Sequence, residues 1–155
     1  MSKTRYFTAP DNIAMRDRSK PSIFLAGSIE MGTAENWQEK VGNFLLATEK
    51  WNVFDPRRKD WDSSWIQSYS NPQFSQQVHW EINALEKADL IIMYLDPATK
   101  SPISLLELGL FAGQRKNMKV VCPDGFYRKG NVEVVCSLYD VPLFNSLEEL
   151  YKELV

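Results

Sequence analysis

The run Asp89-Leu-Ile-Ile-Met-Tyr-Leu95 is the strongest constraint on how this chain folds. It is short, unbroken and apolar, the pattern of a strand buried on both faces. A polar loop opens at Asp96 and carries Ser101 and Ser104. A leucine-rich helix then follows, with Glu107 expected on its first turn. A strand covered on both sides needs helices above and below it, so a parallel α/β sheet is the expected architecture. In open sheets of this kind ligands bind beyond the carboxyl ends of the strands, which is where the 96–104 loop lies.

The rest of the chain repeats this alternation. Ser22-Ile-Phe-Leu-Ala26 reads as a strand ending in Gly27-Ser28, and Asn36 as the cap of a helix running to about Glu49. Trp51-Asn-Val-Phe54 is a second strand, followed by a long polar loop over 55–70. Asn71-Pro72 starts a helix whose buried face is expected at Phe74, Val78, Ile82 and Leu85. Strand 89–95 and helix 104–116 come next, then strands at Lys119–Cys122 and Val141–Phe144, separated by a short helix near 131–138. Ser146-Leu-Glu-Glu149 has the capping-box form and opens a last helix. The expectation is a five-stranded parallel sheet in the order 2-1-3-4-5, flavodoxin- or Rossmann-like, with helices on both faces. Its crevice falls between the first and third strands. Residues 21–155 read as one domain. The polar segment 1–20 is compatible with a tail, an edge strand through Tyr6-Phe-Thr8, or a flap.

Composition narrows the partners. With 44% hydrophobic residues, 25% charged residues and a net charge of −2, the chain has a globular composition and no basic surplus. Nucleic-acid polymers and anionic membranes are therefore disfavoured. No apolar run reaches the roughly 18 residues of a membrane span, and Met1–Pro10 lacks the apolar core of a secretory signal. Cys122 and Cys136 match neither a zinc site nor a redox pair, so both are expected reduced in a cytoplasmic protein.

Glu107 is the strongest catalytic candidate, because a carboxylate among Leu105, Leu106, Leu108 and Leu110 implies burial and a raised pKa. The plainer alternative is a glutamate favoured by the helix dipole. Glu81 and Asp96 are candidate helpers. Position alone leaves Glu81 on a solvated helix face, and leaves Asp96 equally suited to bracing its own turn. Trp61, Asp62 and Trp65 combine flat faces with short acceptors, as a nucleobase requires, or they pin the loop to the body. Arg57-Arg58-Lys59 is basic, but solvated loop residues have the same pattern. Gly27-Ser28 with Gly32-Thr33 offers backbone amides to a phosphate or sugar hydroxyl, a weak signal opposed by Glu30. His79 is the only histidine, and no metal site is expected around it.

Four segments, Ile23-Phe-Leu-Ala-Gly-Ser28, Asp55-Pro-Arg-Arg58 with Asp60-Trp-Asp-Ser-Ser-Trp65, Asn71-Pro-Gln-Phe74 and Asp96 through Gly109, resemble the nucleoside 2-deoxyribosyltransferase family, in its short transferase-like branch. The resemblance implies Glu107 as nucleophile and Glu81 as acid. It also implies that Asn131 reaches into the neighbouring subunit's site, in a homodimer or larger homo-oligomer. Two positions depart from the family's better-known members. Phe24 stands where they have a tyrosine touching the nucleophile, and Ser101 where they have an aspartate contacting the base. Asp96 and Asp62 are both available in place of that aspartate. Phe24, Gly27, Ser28, Trp61, Asp62, Ser101, Ser104 and Asn131 are then the expected substrate contacts.

Independently of the resemblance, a carboxylate can trap the oxocarbenium-like state formed when a base leaves a 2-deoxyribose, as in retaining glycosidases. The departing base then needs a proton from an acid with a raised pKa. No metal or organic cofactor is required. The expected activity is transfer of 2-deoxyribose between nucleobases. Hydrolysis of 2′-deoxynucleoside 5′-monophosphates and a non-catalytic nucleotide-binding domain are the alternatives on the same scaffold.

Overall fold

The structure, a computed structural model, describes residues 5–29, 35–58 and 60–155. Glu30, Gly32, Thr33 and Lys59 of the sequence reading lie outside the described residues. Six strands and five α-helices follow in chain order: β1 (Tyr6–Thr8), β2 (Ser22–Gly27), α1 (Trp37–Ala47), β3 (Asn52–Asp55), α2 (Pro72–Lys87), β4 (Leu90–Tyr94), α3 (Pro102–Gly113), β5 (Met118–Val121), α4 (Lys129–Leu138), β6 (Leu143–Phe144) and α5 (Leu147–Leu154). The sheet runs β1-β3-β2-β4-β5-β6, and every pairing is parallel. The expectation of five strands is thus corrected to six. The five expected strands keep their relative order, and Tyr6–Thr8 adds an edge strand beside β3 because its backbone matches the open side of Val53–Asp55.

Alternation along the strands builds two cores. Ile23 and Leu25 of β2 and Leu90 and Ile92 of β4 pack with Trp37, Val41 and Leu45 of α1 and Leu150 of α5. Their neighbours Phe24, Ala26, Ile91 and Met93 face the other way, onto Trp80 and Ala84 of α2, Leu108 and Phe111 of α3 and Val132 of α4. Polar caps start the helices where the sequence predicts. Asn36 accepts from the Glu39 amide, Asn71 from Phe74 and Ser146 from Glu149. In the last case Glu149 also accepts from the Asn145 amide at 2.8 Å, one residue earlier than a strict capping box.

Two helix faces differ from expectation. On α2, Val78 is exposed, while Gln77, Trp80, Ala84 and Leu85 are buried. The helix is rotated because the amino-terminal segment packs beside it. Phe7, Ala9 and Ile13 join the α2 core, and Trp80 Nε1 donates to the Asp11 carbonyl at 2.8 Å. On α3, the helix begins at Pro102 rather than 104, since proline suits a first helical position and Ser101 before it adopts a left-handed conformation, φ 49°. Glu107 therefore sits on the second turn, and Leu106 and Leu110, expected around it in the interior, are exposed with Ile103. Among the described residues no helix is long and apolar enough to cross a membrane.

Candidate active site

The order of the sheet reverses between β2 and β4, whose last residues Gly27 and Tyr94 are direct partners. Gly27 has φ +135°, and a Cβ there would lie 2.1 Å from the Tyr94 carbonyl oxygen, so only glycine lets the two strands end this close. The chain beyond them is held by hydroxyls. Ser28 Oγ lies 2.6 Å from Ser101 Oγ and 2.9 Å from Thr99 Oγ1, and those two are 2.7 Å apart. The Asp96 amide donates to Ser28 Oγ at 2.9 Å, and Thr99 Oγ1 donates to the Asp96 carbonyl at 2.9 Å. All three hydroxyl side chains are buried, and their mutual bonding meets the need of buried polar groups for partners. This cluster ties the loop after β2 to the loop before α3 and so sets the start of the helix that carries Glu107.

Glu107 is 7% exposed, sharing the inner face of α3 with Ser104, Leu108 and Phe111. Glu81 comes from α2 and is half-buried. Burial pushes the Glu81 carboxyl up to about 6, opposed by a hydrogen bond from Gln77 Nε2 to Glu81 Oε1 at 2.9 Å. Burial also pushes Glu107 up, to about 8, and the Glu81 charge adds to the shift. Glu81 ionises first, and its charge then holds the proton on Glu107. No hydrogen-bond donor among the described residues offsets the burial of Glu107. Two carboxyls that share one proton near neutral pH can offer a carboxylate and an acid at one place.

The remaining sequence candidates distribute unevenly. Asp96 is half-buried, and its Oδ1 accepts from the Ala98 amide at 2.9 Å, which closes its own turn. Phe24 is buried in β2 with its ring centroid 6.4 Å from that of Trp80, on the same side of the sheet as α2 and α3. Trp61 and Trp65 meet edge to face at 5.0 Å, and the Arg58 guanidinium lies 5.0 Å from the Trp65 ring centre while its Nε donates to Asp60 at 2.7 Å. Asp62 is exposed and accepts from the Ser64 amide and hydroxyl, bonds that hold its carboxyl below the usual range. Asn131 is exposed on the first turn of α4, which begins at Lys129 rather than near 131. It lines a groove of about 320 Å³ between α3 and α4 with Leu105, Leu108, Gly109 and Tyr127.

The structure thus gathers Ser28, Asp96 and Ser101 in one cluster and Glu81 with Glu107 in another. Asp62 lies in the tryptophan loop, and Asn131 in the groove between α3 and α4. Sequence reasoning missed Thr99 and Gln77. The signal for Gln77 was present, four residues before Glu81 and therefore on the same helical face. Thr99 carried none, because its role depends on Ser28, 71 residues away.

The profile of the family described as nucleoside 2-deoxyribosyltransferase like matches residues 20–126, well over half of the chain. No curated protein matches the sequence. Among solved structures, a conserved protein from Enterococcus faecalis V583 aligns with a TM-score of 0.57 at 14% identity, covering 86% of this chain and 96% of its own. At that identity the likeness concerns the α/β fold alone. The family match includes β2, β4, α2 and α3, and on that basis the chain belongs to the nucleoside 2-deoxyribosyltransferase-like family.

Proposed function

We propose that this protein transfers 2-deoxyribose between nucleobases through a covalent intermediate on Glu107. The observation that carries this reading is the pair of carboxyls with raised pKa, half-buried Glu81 on α2 and buried Glu107 on α3, beside the reversal point of a parallel sheet. In the singly protonated pair the proton rests mainly on Glu107; its passage to Glu81 leaves Glu107 as the carboxylate that attacks C1′ while the bond to the base breaks. The proton of the pair leaves through Glu81 to the departing base nitrogen. An incoming base then attacks C1′, gives its proton to Glu81 and displaces Glu107. Two inversions restore the original configuration. Ser28, Ser101, Ser104 and Asp96 border the sugar side of the crevice, and Trp61 and Asp62 the base side.

The protein works as a homo-oligomer. Ile103, Leu106 and Leu110 of α3 and Val134 and Leu138 of α4 are exposed large apolar side chains, and Asn131 stands beside them. A second copy on this face buries them and takes Asn131 towards the neighbouring site.

The test is incubation with a 2′-deoxynucleoside and a different free base, followed by chromatography. Appearance of the exchanged nucleoside supports transfer. Base release without exchange, strongest with deoxynucleoside monophosphates, would assign the hydrolase instead, and neither product would leave only binding.

A further inference from the structure

The family match begins at residue 20, yet the segment before it reaches the proposed catalytic pair by two routes. The first runs through β1. Tyr6 Oη donates to Asp55 Oδ2 at 2.5 Å, and Asp55 Oδ1 accepts from the Arg57 amide at 2.9 Å, which fixes the turn at the end of β3. Within that turn the Pro56 carbonyl accepts from Gln77 Nε2 at 2.9 Å, and the same nitrogen donates to Glu81 Oε1. The Gln77 carboxamide is buried and its Oε1 has no partner among the described residues, so among them Pro56 and Glu81 hold its orientation. The second route is Trp80, the residue before Glu81, whose indole donates to the Asp11 carbonyl. Phe7, Ala9 and Ile13 lie in the same core as Trp80 and Ala84.

Both bonds act on the helix that presents Glu81. Tyr6 is itself well placed: its ring lies over Gly42 of α1, where a Cβ would come within 2.5 Å of the ring. Burial and the Asp55 charge keep the phenol protonated, so it acts as a donor throughout the neutral range. Asp55 is buried and raised, and the phenol bond is what offsets its desolvation most.

We infer that the amino-terminal segment, residues 5–20, is a positioning element of the site, in which Tyr6 holds the Gln77 amide against Glu81 through the 55–57 turn and Trp80 holds the helix that carries both. The inference rests on the catalytic reading only in its kinetic consequence, since the geometry of the acid can be read without turnover.

The test uses the full chain with Tyr6→Phe and Trp80→Phe, each of which removes one donor and keeps a ring. Carbon-13 labelling of the glutamate carboxyls reports their titration directly. With Gln77 displaced, the Glu81 midpoint should rise by roughly half a pKa unit or more in each folded variant, because the Gln77 bond holds it down. Base exchange should fall about tenfold or more in kcat with little change in KM, the effect of a misplaced catalytic group. A purely structural role would lower the unfolding midpoint and leave both carboxyl titrations as in the wild type. Unchanged titrations in folded Tyr6→Phe would overturn the inference even if Trp80→Phe failed to fold. Glu107→Gln, assayed in parallel, separates the two ideas: activity in that variant sinks the catalytic reading, while the titrations still judge the positioning element.

Discussion

In the proposed mechanism Glu107 serves chemistry at the expense of stability. Its carboxyl is raised from 4.5 to about 8 by burial first and by the Glu81 charge second. Below pH 4.5 folded and unfolded chains both hold this proton, and the group is neutral in its effect. As pH climbs towards 8, the unfolded chain has lost the proton while the folded chain keeps it, so stability falls and then levels off. Glu107→Gln removes the titration. In urea unfolding the variant should gain on the wild type by on the order of a few kcal/mol between pH 5 and pH 9. In the proposed mechanism the same pair sets the activity profile. Below about 6 both carboxyls are protonated and no nucleophile is present, and above about 8 both are charged and no acid is present. The rate of base exchange should therefore be bell-shaped with limbs near those values, measured as kcat/KM against pH. Glu107→Gln should lower turnover by at least ~10³-fold in a folded protein. Glu107 is legible as a candidate because it follows a buried strand and a polar loop, whereas Glu81 enters only through the family resemblance, since its position alone suits a solvated helix face. Their mutual charge effect is not legible, since it depends on α2 and α3 packing on the same face of the sheet.

Among the elements, the ends of β2 and β4 carry the most constraint. Gly27 combines a positive φ with a backbone approach that leaves no room for a Cβ. Gly27→Ala should destabilise the protein by roughly 3 kcal/mol or more, because the clash is with backbone and no flexible side chain can yield. Thermal unfolding reads this directly, and a midpoint within a degree of wild type would mean that the strands can separate freely. The hydroxyl cluster of Ser28, Thr99 and Ser101 transmits the position of β2 to α3. Helix boundaries were predictable where a cap declares them, as at Asn36, Asn71 and Ser146. The buried face of α2 was not. Apolar spacing pointed to Val78, but the helix turns Trp80 and Gln77 inwards because the amino-terminal segment supplies both an apolar neighbour and an acceptor for Trp80.

At the scale of the whole molecule, the exposed leucines of α3 separate two pictures of the active unit. Burying several large side chains contributes about 1.5–3 kcal/mol each, enough to hold a dimer through a handful of contacts. A shared site makes a sharp prediction. Glu107→Ala and Asn131→Ala, each inactive alone, should regain up to about a quarter of wild-type activity once their subunits exchange, since half the dimers are hybrids with one intact site. Exchange is verified by native mass spectrometry. Absence of complementation after exchange would place a complete site within each chain, as would a fully active monomer in sedimentation.

By itself the sequence determined the succession of strands and helices, the order of the five central strands and the capped helix starts. These depend on periodicity and capping within a few residues, where backbone geometry leaves few alternatives. Only the tertiary structure decided the sixth strand, the inward face of α2, the Thr99 hydroxyl bridge and the hold on Gln77. Each requires side chains far apart in the chain to meet, 49 residues apart for Tyr6 with Asp55 and 69 for Trp80 with Asp11. A hydrogen bond is worth forming there because both partners are withdrawn from water, and that withdrawal exists only after the sheet and its helices have packed.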